Sequence, residues 1–359
     1  MNKFEFVKLD ELNVDNWEAF IQSVENPTFF ASVDYLKTFG SNVFVMLKKD
    51  NDKIVAGLPF VIQSLVPVIG RFFQICRIET EVIVSNNFSF EQNQELKQQF
   101  FNELIQFLKN QSVANLYITT KIRSKDGEIY SKLGFEVNEC GTYILNIEPE
   151  IELIIKNFSK GHKSSVQKAI KSGVEINIYQ NKDAIEHISD FIDTQKKLFE
   201  RRQDTMSVVY HKSEKFLKSI FISNHHKVFF AVAKYKNKTA ATGIFLSIKD
   251  SLFYYAGNSD YELVRECQAS NLLQLEVIKY AKELGIKTYD FGGADVILDP
   301  ESELYGVSLF KRGFGGELQT YDYAKLIVNP LRSKILISIS KLQNNKLLRV
   351  IYKMLKNAN

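Results

Sequence analysis

The chain has 359 residues, 45% hydrophobic and 25% charged, an ordinary globular composition whose length suggests two domains. The formal charge of +4 sits in a tail: seven of the 46 basic residues (Arg332, Lys334, Lys341, Lys346, Arg349, Lys353, Lys356) fall in 331–359, which holds no acid, leaving 39 basic against 42 acidic residues elsewhere. Three dispersed cysteines, an N-terminal stretch MNKFEFVKLDELNV with early acids, and the lack of a long apolar run argue against a disulfide framework, a secretory signal and a membrane span, so the expected location is the cytoplasm.

Taken in chain order, residues 43–48 and 54–62 read as strands around the turn 49–52. Residues 91–109 carry Leu96, Phe100, Leu104, Phe107 and Leu108 at helical spacing. Short strands follow at 115–119 and 142–147. The second half repeats the theme, with a strand at 174–179, a helix at 184–199 and a meander over 228–234, 240–248 and 252–256. A helix over 271–284 then ends at Gly285, a residue suited to a C-terminal cap. Two stretches share one order of elements: helix, strand and YSKLGF (130–135), then helix, strand and LFKRGF (309–314), which places Lys132 and Lys311 in matching positions.

The glycine-rich segment YDFGGADVILDPESELYGVSLFKRGFGGE (289–317) is the most informative. It reads as a strand, a Gly-Gly turn, a polar loop, a short helix and a closing glycine run. Such glycines mark close backbone approach, either to a ligand or to another strand. No Ser/His/Asp or Cys/His set and no metal-ligand spacing occurs, and the five histidines read as surface residues.

NLLQLEVIKYAKELGIKTYDFGG (271–293) and FKRGFGGELQTYDYAKLIVNP (310–330) closely resemble the Fem-type (FemABX) peptidyltransferases of the GNAT-like acyltransferases. FFASVDYLKTFG (29–40), HKSSVQKAIKSGVEI (162–176) and FYYAGNS (253–259) resemble that family more loosely. The match is poor over 62–89, where the family's Gly-Pro pair is missing. The resemblance implies an α/β fold of two tandem GNAT-like domains, each a mixed β-sheet flanked by helices, plus a basic C-terminal helical tail. The expected boundaries are 1–149, 150–330 and 331–359. It further implies a compact member without the long helical arm some relatives insert.

It also implies an enzyme that transfers an amino acid from aminoacyl-tRNA to an amino group of a peptidoglycan precursor or related cell-envelope glycan, with no resident cofactor. Lys311 and Phe310 then face the donor: Lys311 stabilises charge at the ester carbonyl or holds a phosphate, and Phe310 stacks on the terminal base. Lys37, Arg201 and Arg202 are the candidates for an acceptor diphosphate, with Tyr255 nearby. Asp290 is placed either to accept an amine proton or to cap the turn after its strand; Lys311 alternatively meets the helix dipole as a C-terminal lysine.

Two rivals stand beside this reading. One keeps the fold and takes acyl-CoA as donor for an amino sugar. Against it, the loop opening the helix at 271, Arg265-Glu266-Cys267-Gln268-Ala269-Ser270-Asn271, has no glycine and carries an acid where CoA enzymes cradle pyrophosphate. The other is a non-enzymatic RNA- or glycan-binding module. Lys156, Lys160, Lys163, Lys168 and Lys171 lie in an acid-free stretch, 153–174, that either tracks RNA phosphates or forms a solvated face. In the tail, Ile335, Ile339, Leu342, Leu348, Ile351 and Leu355 recur at helical spacing. That pattern fits amphipathic helices on an anionic membrane surface, or a helix packed on the body.

Overall fold

A computed structural model describes residues 4–25, 27–64, 74–122, 124, 126–201 and 213–343, with side chains given to 338. It divides the chain into two compact units, 1–139 with 321–359, and 140–320. Arg202 and the tail beyond 343 lie outside the described residues, as does part of the poorly matching 62–89 segment.

The first unit contains β1 (Glu5–Lys8), α1 (Val14–Ser23), α2 (Val33–Leu36), β2 (Val43–Asp50), β3 (Lys53–Ser64), β4 (Gln74–Ile78), β5 (Ile83–Val84), α3 (Phe90–Asn110), β6 (Val113–Thr119) and α4 (Gly127–Lys132). The turn between β2 and β3 is tight because Asn51 and Asp52 both take positive φ, as a two-residue hairpin loop requires. The sheet runs β1-β2-β3-β4-β6, antiparallel except for the β4/β6 pair, and β5 adds to β3. α3 is the crossover that a parallel pair needs. Ser89 and Gln92 form a capping box at its start, and Leu96, Phe100, Phe101, Leu104 and Leu108 bury its inner stripe.

β7 (Glu136–Asn146) leads into the second unit. There follow α5 (Ile151–Asn157), α6 (Lys160–Lys171), β8 (Glu175–Gln180), α7 (Ile188–Arg201), α8 (Glu214–Phe221), β9 (Lys227–Tyr235), β10 (Lys238–Ile248), β11 (Ser251–Ser259), α9 (Tyr261–Cys267), α10 (Ala269–Glu283), β12 (Thr288–Ala294) and α11 (Tyr305–Arg312). This sheet runs β7-β12-β11-β10-β9-β8, again antiparallel except for one pair, β11/β12, with α10 as its crossover. α10 buries nearly every side chain of its first half between the sheet and α6, so its apolar pattern is dense rather than striped.

The chain returns through β13 (Glu317–Ile327), whose last residues pair with β6 in the first unit, and ends its described part with α12 (Pro330–Gln343). β7, which follows α4, thus pairs into the second unit's sheet, and β13, which follows α11, into the first. A domain reading that follows the chain linearly puts the first boundary after β7, at 149/150. The strand pairing puts it inside β7, because Gly141–Asn146 pair with β12. The second boundary moves in the same way, from 330/331 to 320/321.

The helix–strand–helix repeat is present as α3–β6–α4 and α10–β12–α11, and Phe135 and Phe314, which end the two matching motifs, are both buried. Their lysines are not equivalent. Lys132 stands in solvent beside Glu128 at 3.5 Å, while Lys311 is buried. The buried cation of the first unit is instead Lys97 on α3, 2.8 Å from the buried Asp126 carboxylate.

The start of the tail packs on the first unit. Ser333 and Leu336 of α12 are buried, Leu336 against Ile75 and Ala114. Leu331, Ile335 and Ile337 are exposed. Ile335, expected on the apolar side, is thus turned outward, because the buried stripe of α12 follows the spacing of Ser333 and Leu336. No helix among the described residues is long and apolar enough to cross a membrane.

Candidate active site

The hydrogen-bonded ladder between the parallel strands β11 and β12 is short. It runs from Ser251/Thr288 to Phe253/Asp290 and stops. Beyond it β11 follows β10 to Ser259, and β12 follows β7 to Ala294 opposite Gly141. A crevice at the carboxyl ends of parallel strands is where open α/β sheets bind ligands. Asp290, Phe310 and Lys311 gather at its β12 side.

The Gly292-Gly293 pair is not a turn. β12 continues through it to Ala294, with a register shift against β7 between Asp290 and Gly293. Gly292 takes φ +71°, and a Cβ there would lie 3.0 Å from the Tyr254 carbonyl oxygen. The pair is a β-bulge that only glycine allows at this approach. Asp290 Oδ1 holds it, accepting the Gly292 N–H at 2.7 Å and the Thr142 hydroxyl at 2.5 Å. With no turn there for Asp290 to cap, Oδ1 instead pins the bulge. Burial pushes the Asp290 carboxyl above its usual range, while the Thr142 and Gly292 hydrogen bonds and the Lys311 charge pull the other way.

α11 turns a short polar face inward. Ser308 Oγ accepts the Asp295 N–H at 2.9 Å, and one turn later Lys311 Nζ donates to the Gly293 carbonyl at 2.6 Å. Lys311 is therefore not a solvated C-terminal lysine; only 8% of it is exposed. Burial brings its pKa down to about 8, against the opposing pull of Asp290. An ammonium spends one of its three N–H bonds on the carbonyl and has two left for a substrate oxygen. The result is a desolvated, titratable cation beside the β12 bulge, the kind of group that binding and catalytic sites assemble.

The closing glycines pack against protein. A Cβ on Gly313 would lie 2.0 Å from His162 Cε1, one on Gly315 2.6 Å from the Asn157 carbonyl oxygen, and one on Gly316 2.9 Å from the Ile144 carbonyl oxygen. Of these, Gly316 approaches another strand, as one of the two expectations had it, while Gly315 meets the end of α5 and Gly313 a side chain. His162 also departs from its reading as a surface histidine. Its ring meets Phe314 edge-on at 4.6 Å, and Nε2 lies 2.8 Å from the Phe310 carbonyl oxygen. Burial lowers its pKa, so the neutral ring donates from Nε2 and accepts the Ser159 hydroxyl at Nδ1, 3.0 Å away. Ser159 N also donates to the Gly313 carbonyl at 2.8 Å. The first turn of α6 is thus bolted to the end of α11, which fixes Phe310 between His162 and Phe314.

The other candidates lie elsewhere. Tyr255 on β11 stacks on Phe216 of α8, and its neighbour Tyr254 faces the interior, stacked on Phe245. Arg201 lies over the Tyr261 ring at 4.7 Å, a ring it shares with Arg265. Lys37 is exposed in the first unit. Sequence reasoning did not find Thr142 or His162. Thr142 stands 148 residues from the carboxylate it binds, a separation that no local pattern bridges.

A model of the FemAB family matches residues 223–331. Over 125 residues the chain is 37% identical to a lipid II:glycine glycyltransferase of Staphylococcus haemolyticus (strain JCSC1435). That match covers 31% of this chain and 29% of the relative, so the chain spans less than a third of the length of that curated relative. Two solved structures share the fold. FemX gives a TM-score of 0.65 at 15% identity, over 89% of this chain and 96% of FemX. A tandem GNAT protein from the clavulanic acid biosynthesis pathway gives 0.56 at 11% identity, over 91% and 99%. The two units are GNAT-like, and the longest described helix of the second, α10, has 15 residues. No long helical hairpin interrupts that unit among the described residues.

Proposed function

The chain belongs to the Fem-type family, and from that membership we propose that it is an aminoacyltransferase moving an amino acid from aminoacyl-tRNA to an amino group of a lipid-linked peptidoglycan precursor. The observation that carries this reading is the buried Lys311 cation beside the β12 bulge, within the segment that matches the family model. In the reaction the acceptor amine attacks the ester carbonyl, a C–N bond forms, the C–O ester bond breaks, and the leaving ribose hydroxyl takes a proton. Lys311 is aimed at the carbonyl oxygen as charge develops there. Asp290 acts as a positioning residue, since its Oδ1 holds the bulge that supplies the Gly293 carbonyl to Lys311. Lys37, Arg201 and Arg202 are each proposed as a ligand of the acceptor diphosphate, and Tyr255 as a contact of the acceptor.

The loop before α10 supports an RNA ester over acyl-CoA. Gln268 takes a left-handed conformation where CoA enzymes use glycine, and Glu266 is held there by Tyr235 at 2.5 Å and Lys236 at 2.7 Å. Gln268 puts a side chain where the close approach of a pyrophosphate to backbone N–H groups favours glycine. Titration calorimetry with acetyl-CoA should therefore show no tight binding; a low-micromolar constant, about −8 kcal/mol, overturns the donor assignment. The direct test incubates the protein with charged tRNAs and the lipid-linked precursor and weighs the product. A gain of one aminoacyl residue is expected, and a gain only from acyl-CoA sinks the reading.

A lipid-linked acceptor extends the proposal to a membrane surface. The exposed Leu331, Ile335 and Ile337 of α12, with Lys334 among them, are proposed as a peripheral contact. Substituting Leu331 and Ile337 by Glu should reduce co-sedimentation with anionic vesicles; unchanged partitioning refutes the contact.

A further inference from the structure

We propose that the lysine face of α6 carries the base-paired stem of the RNA whose 3′ end enters the Lys311 crevice; this rests on the aminoacyl-RNA donor reading above. α6 buries Val166 and Ala169 against α10 and ties Ser165 Oγ to Gln268 at 3.2 Å. At 3.6 residues per turn, Lys160, Lys168 and Lys171 fall on the opposite side and Lys163 on its flank. Lys160, Lys168 and Lys171 are exposed, and none of these lysines has a salt bridge among the described residues. Lys168 acts on Glu266, a carboxylate that Lys236 and Tyr235 also hold.

Two further features make this face part of a site and not a solvated helix surface. Lys163 Nζ donates to the Lys156 carbonyl at 2.7 Å and Lys168 Nζ to the Arg265 carbonyl at 3.3 Å, so both ammoniums are fixed with their charge unneutralised. The face is also joined to the crevice. His162, on the first turn of α6, binds the Phe310 carbonyl, and Ser159 binds the Gly313 carbonyl, so the lysines continue from Phe310, Lys311 and the exposed Arg312. From Lys160 to Lys171 the face spans roughly 16 Å, at 1.5 Å per residue. That length meets several phosphates of one duplex, where each neutralised phosphate adds about 0.9 to the salt slope of binding. A duplex stem next to a single-stranded acylated end is the polyanion that matches a basic stripe leading to a crevice.

The test uses the full chain and the variant Lys160→Ala/Lys168→Ala/Lys171→Ala, none of which contacts the crevice. The probes are a stem-loop RNA with a free 3′ end, the same RNA aminoacylated, an aminoacylated 3′-terminal trinucleotide without a stem, and anionic vesicles. For the stem-loop, the slope of log affinity against log salt should fall by about 3 in the variant. Turnover of the acylated stem-loop should drop more than tenfold at subsaturating concentration, while turnover of the trinucleotide stays within twofold of wild type. An unchanged salt slope overturns the proposal, as does a variant that loses vesicle binding but keeps RNA binding. If the wild type uses neither ester, the donor reading fails. The stem-loop binding slope still decides whether this face holds RNA.

Discussion

Lys311→Met is expected to cut turnover about a hundredfold, the scale of removing one preorganised electrostatic donor, while leaving the protein folded and more stable at neutral pH. The ammonium is buried, and its pKa stands near 8 instead of the ordinary 10.5. That depression measures how much the folded state disfavours the charge, of order 3 kcal/mol. Methionine removes this cost but also the bond to the Gly293 carbonyl, worth about 1 kcal/mol net, so a gain near 2 kcal/mol is expected at pH 7. The pH dependence has a definite sign. Between about pH 8 and 10.5 the unfolded chain keeps a proton on Lys311 that the folded chain has released. Wild-type stability should therefore rise with pH through that window relative to Lys311→Met, ending about 1 kcal/mol above the variant once the lysine is neutral and keeps only its bond to Gly293. Activity should move the other way. If the cation polarises the ester carbonyl, turnover by the wild type falls as pH rises through about 8. A rate that climbs through the same pH would make the neutral amine a base and refute the electrostatic role. Near-normal turnover by Lys311→Met, with its stability gain intact, would reduce the lysine to a structural bolt.

The same residue shows what the sequence can carry. Glycines and a lysine within 289–317 mark a segment where backbones approach closely, and they do. The sequence cannot say what they approach. Gly313 accommodates the ring of His162, 151 positions earlier, and Gly316 lies against Ile144 in a strand assigned to the other half of a linear reading. The meander of β9, β10 and β11 and the helix α10 were legible because their patterns are local: alternation, helical spacing and a C-terminal Gly285 with φ +79°. The bulge at Gly292 was not, since a Gly-Gly pair after a strand signals a turn equally well, and only the Asp290–Thr142 bond decides between them. The domain boundaries of a linear reading, 149/150 and 330/331, differ from the division by contacts, 139/140 and 320/321, for a related reason. β7 and β13 look like ordinary closing strands, and nothing within them tells which sheet each one closes. The Lys132/Lys311 pairing holds for position along the repeat but says nothing of burial. The repeat of elements is real, but a shared motif fixes only the position of a residue along its helix. Burial depends on the residues around it, and Lys132 has solvent and Glu128 where Lys311 has Gly293.

Gly315→Ala should be among the most damaging small substitutions in the second unit. Gly315 takes φ +80°, where a Cβ costs about 1–2 kcal/mol in any L-residue, and that Cβ would sit 2.6 Å from the Asn157 carbonyl oxygen and 3.0 Å from its carbon. Both are backbone atoms at the end of α5 and cannot swing aside as a side chain does. Relief requires moving the α5–α6 junction, which also carries Ser159 and His162. The combined cost is expected to be about 3 kcal/mol or more, a fall in melting temperature on the order of 10 °C for a unit of this size. Because His162 grips the Phe310 carbonyl, turnover should drop along with stability. Gly306 supplies the control. It lies in the first turn of α11, with nothing within 4 Å of its Cβ position and no positive φ. Gly306→Ala should therefore stabilise by about 0.5–1 kcal/mol, through helix propensity and a less flexible unfolded chain. Thermal melts of the two variants separate the readings. If Gly315→Ala melts within a degree of wild type, the glycine run is not set by the α5–α6 junction, and the coupling from Asn157 through His162 to Phe310 must be abandoned with it.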